Sequence, residues 1–398
     1  MIHYDIALSF EHCVRFTHQV FHPDNTTLSE VLGSQSSSGK VLLCLDSGLS
    51  EGQPALLGAI PAWFQERPGL QLVSEPLVLP GGEQAKNDWS LVERLWMQIH
   101  RHGLCRHSYL LAVGGGALLD LAGFAAATAH RGIRHVRLPS TTLSQADGGV
   151  GVKNGVNRFG RKNWVGVFQV PFAVINDLSL LQSLPPRSCR SGLVEAVKVA
   201  LIRDAAFFDQ IESMAGDLAA LRPEAVEQVV RRSAEWHTRH IATGGDPFEL
   251  GSARPLDFGH WSAHKLEPVT GFRLLHGEAV AVGMAIDVLY SALAGLLPES
   301  TALRILELLE RLGFRLYDPA LEESSQGRLV VLDGLDEFRE HLGGALTITL
   351  LEDIGRAREV HTMDENLILQ SLARLKQRDI EREAARQPVP RDEAGHPA

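Results

Sequence analysis

From about residue 40 the chain alternates short, mostly apolar runs with longer amphipathic stretches, and this alternation limits the fold more than any other feature. The runs fall at 41–45, 70–73, 108–113, 135–138 and 172–175. Apolar runs of this length between helical segments read as strands buried on both faces of a parallel α/β sheet. Beyond about residue 178 such runs nearly vanish, and helical periodicity takes over at 192–202, 225–241 and 278–297. The expected fold is an α/β nucleotide-binding domain over residues 1–178 followed by a mainly α-helical domain over 179–380. Two domains suit a chain of 398 residues, because single cores stop growing at about 250–300 residues. Residues 381–398 are rich in charge, Pro and Ala, with too little apolar surface to offset their ordering entropy, and are expected to form a disordered tail.

Charge and cysteine usage exclude several classes. Acidic residues outnumber basic ones 48 to 38, and no Lys/Arg-rich block marks a track for nucleic acid. No apolar stretch approaches the roughly 18 residues of a membrane span, and the N-terminus has no basic lead into an apolar run. Cys13, Cys44, Cys105 and Cys189 form no CxxC pair, so the expected compartment is the reducing cytoplasm.

The run at 108–113 is followed by Gly114-Gly115-Gly116 and then an Ala/Leu-rich helical stretch. A glycine turn between strand and helix lets the backbone approach a phosphate, and the helix N-terminus supplies free N–H groups and a favourable dipole. Asp120 lies one turn into that helix. Asp46 follows the 41–45 run, where an acid often meets a ribose, although by position alone it reads as an ordinary turn residue. Gly81-Gly82-Glu83-Gln84-Ala85-Lys86 is a second glycine-led turn, with a charge pair at i, i+3.

Pro139-Ser140-Thr141-Thr142, then Asp147 to Lys153, then Arg161-Lys162-Asn163 form a stretch dense in Gly, hydroxyls and charge. It reads as a loop suited to a polyhydroxylated, anionic ligand, with Arg131 and Arg134 just upstream. Glu195 and Lys198 sit one turn apart in an otherwise apolar helical run, where each needs a partner to offset desolvation. His260 and His264 share a helical face at i, i+4 and resemble a zinc pair by spacing. His276 opens a later apolar helix, whereas His237 and His240 read as surface residues with no metal role.

Taken in chain order, these motifs resemble the 3-dehydroquinate synthase-like sugar phosphate cyclases from about Asp46 to Gly355. The resemblance implies an N-terminal NAD domain, a C-terminal helical metal domain and a homodimer. It assigns the metal, usually zinc with cobalt possible, to Glu195, His260 and His276, which moves His264 from the metal to the substrate phosphate. It places Asp46, Glu83, Lys86, Gly115, Gly116, Asp120, Ser140, Thr141 and Lys162 around NAD. Lys153, Lys198 and Asp147 would hold substrate hydroxyls, with Asp147 near the oxidised carbon, and Arg131 and Asn163 would serve the phosphate, Arg131 from across the dimer. The implied chemistry is transient oxidation by NAD, phosphate elimination, reduction and intramolecular aldol closure.

The chain departs from the synthase proper on the substrate side. The family's carboxylate-gripping Arg counts to Ala253, with Arg254 one step off, and its Lys counts to Arg239. A usual Asn is Asp257, and the C-terminal Lys pair is missing, leaving Arg339 or His341 in its place. The expected substrate is therefore a ketose phosphate without a carboxylate, with sedoheptulose 7-phosphate the first choice. The alternatives are 3-dehydroquinate synthase itself and a metal-dependent polyol dehydrogenase.

Overall fold

The computed structural model describes residues 1–33, 39–244, 248, 255–341 and 346–386. The chain forms two compact units: Met1–Ala196 with Pro223–Leu250, and Val197–Arg222 with Gly251–Ala398. This division differs from a single break after residue 178. The helix Pro223–Thr243 packs on the turn Ser144–Gly148 and so joins the first unit.

The first unit is built on a seven-stranded sheet. Its strands are β1 (Val14–Thr17), β2 (Lys40–Asp46), β3 (Gln71–Leu72), β4 (Leu77–Leu79), β5 (Tyr109–Gly114), β6 (Arg134–Pro139) and β9 (Ala173–Asp177). The order is β1-β9-β6-β5-β2-β3, with β4 also on β2, and every pairing is parallel. Alternate residues feed two cores, Val41, Leu43 and Leu45 on one face and Leu42 and Cys44 on the other. That double burial makes the β2 run apolar throughout.

Two strands lie in the stretch expected to be a loop. β7 (Lys153–Arg158) and β8 (Arg161–Phe168) form an antiparallel hairpin whose turn residues Phe159 and Gly160 have φ of 54° and 70°. Positive φ at both turn residues matches the right-handed twist of a hairpin. Val156, Val165 and Val167 point into the core beneath the polar letters between them.

On β6 the alternation carries polar residues inward. Arg137 is fully buried and donates to the carbonyls of Gly148, Gly149, Gly151 and Lys153 at 3.4, 3.1, 2.9 and 3.0 Å. It also donates to Asn154 Oδ1 at 2.6 Å. Burial pulls its pKa down to about 10, and the ring of oxygens is what makes a cation tolerable there.

In the second unit the helix His276–Leu293 is buried nearly all round. The helix His260–Val269 begins after Gly259, whose φ is 78°. A Cβ on Gly259 would lie 2.7 Å from Met284 N, and one on Gly283 would lie 2.0 Å from the Gly259 carbonyl. Only glycine at both points lets these backbones touch. Asp287, fully buried, then accepts from Gly259 N at 3.0 Å and Trp261 Nε1 at 2.8 Å. Burial pushes its carboxyl up to about 7.

This unit also holds a hairpin, Ile348–Asp353 with Arg356–Val360, that helical periodicity did not announce. Residues 381–386, expected as tail, continue the helix Glu365–Arg386, held by Arg378 and Arg382 on the buried Glu310. Residues 387–398 lie outside the described residues. No helix among the described residues is long and apolar enough to cross a membrane.

Candidate functional site

In the first unit the C-terminal ends of the parallel strands gather the residues assigned to NAD. Asp46 ends β2 and caps the next helix by accepting from Gly48 N at 2.9 Å. A Cβ on Gly81 would meet its carboxylate at 2.2 Å, and one on Gly114 would meet its Cβ at 2.9 Å. Gly115 precedes the helix Gly116–Thr128 without a side-chain cap, and nothing lies within 4 Å of a Cβ on Gly116. Ser140 N donates to the Gly114 carbonyl at 2.9 Å, and Thr141 Oγ1 shares a hydrogen bond with Ser144 at 2.8 Å. This is an open, glycine-lined edge at a helix N-terminus, the type of place where a pyrophosphate lies.

A charged cluster adjoins it. Lys86 Nζ, almost fully buried, lies 2.8 Å from Asp120 Oδ2 and 3.9 Å from Glu83 Oε1, and donates to Asn163 Oδ1. Asn157 links Glu83 at 3.0 Å to Asn163 N at 2.9 Å. The structure thus places Asn163, expected at a phosphate, among the residues expected at NAD. Lys162 neighbours it on β8. Asn163 and Arg131 both have left-handed φ, 52° and 61°, strain of a kind that collects at functional positions. Arg131 is exposed.

The substrate stretch is shaped by Arg137, whose acceptors run from Gly148 to Asn154 between Asp147 and β7. Asp147 sits in a π-helical turn, Ser144–Gly148, and pairs with His237 Nδ1 at 2.8 Å. The surface reading of His237 is therefore wrong: its side chain is 12% exposed. Arg239, from the same helix, is exposed with its guanidinium 4.9 Å from the Trp236 ring centroid. Lys153 is exposed at the start of β7.

Glu195, His260 and His276 each offer a ligand atom, and these atoms lie within 4.8 Å of one another. Glu195 is fully buried and His260 is 7% exposed. His260 Nδ1 is 3.0 Å from the Phe258 carbonyl, and His276 Nδ1 is 2.8 Å from Glu267 Oε1. With both Nδ1 atoms engaged, Nε2 is the atom each ring leaves for a metal, and a carbonyl behind one ring and a carboxylate behind the other are the partners that orient metal-binding imidazoles. Burial, then the charges of Lys198, His264 and His276, hold the His260 pKa well below the usual imidazole range, so the ring is neutral at pH 7.

A second group, His264, Glu267 and His276, is equally compact. Because Glu267 is occupied with His276 Nδ1, we read this group as the support behind the first. His264 is exposed, with its ring centroid 6.1 Å from that of His276. Lys198 is buried on the same helix as Glu195. Asp257 lies on the turn Pro255–Asp257, and Ala253 and Arg254 fall outside the described residues. Arg339 does not join the histidines: it is half-exposed and pairs with Asp336 at 3.2 Å. The side chain of His341 lies outside the described residues.

Sequence reading missed Arg137, His237 and Glu267. Glu267→Gln should weaken zinc binding about 10- to 100-fold, as loss of a supporting carboxylate generally does. Competitive titration with a chelating dye measures it, and an unchanged affinity would remove Glu267 from the site.

Models of the 3-dehydroquinate synthase N-terminal and C-terminal domains match residues 76–191 and 192–329. A 3-dehydroquinate synthase of Nitrosospira multiformis is 37% identical over 287 residues, 72% of this chain and 76% of its own. A 2-epi-valiolone synthase of Actinosynnema mirum is 36% identical over 299 residues, 74% of this chain and 76% of its own. Among solved structures, the 2-epi-5-epi-valiolone synthase ValA of Streptomyces hygroscopicus, with NAD+ and Zn2+ bound, superposes with a TM-score of 0.84 at 26% identity. That match covers 95% of this chain and 100% of ValA.

Proposed function

The chain belongs to the 3-dehydroquinate synthase family, and from that premise we propose that it is an NAD- and zinc-dependent cyclase of sedoheptulose 7-phosphate. The observation that carries the reading is the convergence of Glu195, His260 and His276 with Glu267 behind His276. Two imidazoles and a carboxylate are a donor set suited to zinc. The glycine-lined edge at Gly114 to Gly116, with Asp46 and Ser140 beside it, fits a dinucleotide. When bound, NAD supplies a reversible hydride acceptor and the metal supplies Lewis acidity.

The chain's own groups do the rest. Lys153 and Lys198 bind substrate hydroxyls, and Asp147 accepts the proton of the hydroxyl whose carbon is oxidised. His264 faces the phosphate, and Arg131, exposed on its strained turn, serves the neighbouring subunit of a homodimer, while Asn163 joins Lys86 at the NAD edge. Lys86 and Asp120, joined in one ion pair, order the NAD edge.

The choice of sugar rests on the missing carboxylate grip. Position 253 is Ala, and Arg239 lies exposed on Trp236. A carboxylate without its fork of donors forfeits a strong, directional contact. The valiolone synthase names of two similar proteins agree with this. The test is phosphate release from sedoheptulose 7-phosphate and from the carboxylated heptulosonate phosphate. We expect at least about a tenfold higher kcat/KM for the former, the equivalent of one lost contact of roughly 1.4 kcal/mol. An equal or higher value for the carboxylated sugar overturns the choice, and steady accumulation of NADH overturns the cyclase.

A further inference from the structure

We infer that His237 is a positioning residue for Asp147. Its Nδ1 lies 2.8 Å from Asp147 Oδ1, on a helix whose Ser233 Oγ also donates to the Ala146 carbonyl at 3.3 Å. The two contacts seat the helix Pro223–Thr243 on the π-turn Ser144–Gly148 that bears Asp147. A ring nitrogen only 3.6 Å from a Cβ built on Gly151 shows that the imidazole lies flush against the loop. A π-helical turn is rare, and such turns collect at functional positions. The imidazole constrains the carboxylate directly: an Nδ1–H donated to one carboxylate oxygen sets the plane in which the group meets a substrate hydroxyl. A charge-assisted hydrogen bond of this kind is directional as well as strong.

The inference rests on the assignment of Asp147 to the reacting hydroxyl. His237→Leu removes the donor, and His237→Asn returns an amide N–H close to the position of Nδ1. In H237L we expect kcat for phosphate release to fall about 10- to 100-fold with KM within about threefold, the loss of one charge-assisted bond. H237N should recover to within about fivefold of wild type, and Ser233→Ala, which cuts only the second contact, should stay within about twofold. NAD and zinc affinities, measured in the same preparations, should be unchanged in all three variants.

A second readout does not need turnover. In protein labelled with 15N-histidine, the Nδ1-bound proton of His237 should be protected from solvent exchange, and in Asp147→Asn that protection should be lost. Full activity of H237L overturns the inference, as does an H237N as impaired as H237L. A wild-type chain that releases phosphate from no sugar phosphate overturns the cyclase reading instead. The pair is then judged by the His237 proton alone, and a signal identical in wild type and D147N overturns it.

Discussion

His260→Ala should lower bound zinc to background and phosphate release by at least about 10³-fold, the several kcal/mol that a Lewis-acidic ion contributes to a transition state. The ring is held on three counts. Its Nδ1 is fixed by the Phe258 carbonyl, and both neighbouring residues, Gly259 and Trp261, are tied to the one carboxylate of Asp287. Its burial keeps it neutral, which is the form a metal needs. Alanine leaves Glu195 and His276, and two protein ligands are fewer than catalytic zinc sites use. Elemental analysis after dialysis, with a phosphate-release assay, measures both losses. Zinc retained at wild-type stoichiometry with activity within tenfold would exclude His260 as a ligand.

Arg137→Met should cost about 3–5 kcal/mol of stability, because buried carbonyls that lose a charged donor remain desolvated. Activity should fall with it, since the same contacts position the backbone between Asp147 and Lys153. Arg137→Lys should recover only part of either quantity. An ammonium is a single point of charge and lacks the planar fork that reaches Gly149, Gly151, Lys153 and Asn154 together. Urea unfolding followed by circular dichroism, with kcat/KM on the same preparations, provides the measurement. A methionine variant within 1 kcal/mol of wild type, a small change for a buried site, would show that water replaces the guanidinium.

The sheet was legible because β2 and β5 are covered on both faces and so are apolar nearly letter by letter, while β6 and β9 keep apolar residues on one face. β1 was not, because it is an edge strand of four half-buried residues. The β7–β8 hairpin hid its signal in Val165 and Val167, spaced by two among Gly, Asn and charged residues. At the site, Glu195 and His276 drew notice because apolar helices seldom carry Glu or His without cause, whereas His260 was paired with His264 by spacing until the family resemblance separated them. His237 did not, since its partner lies 90 residues earlier in the chain. Arg137 did leave a trace: it interrupts Val136 and Leu138 in a strand whose neighbours are apolar. An arginine at that spacing has to be buried, and a buried guanidinium needs acceptors that spacing alone does not name.

Four of the acceptors around Arg137 are main-chain carbonyls, a group that every residue type carries. The letter at 148 is thus not what holds the loop to its course. A Cβ on Gly148 meets nothing within 4 Å, whereas one on Gly151 would lie 3.6 Å from His237 Nε2. A lineage can reletter position 148 while the backbone stays where the arginine keeps it. Diversification toward new sugars is then decoupled from the risk of misfolding, and a library for altered stereochemistry should start at 148.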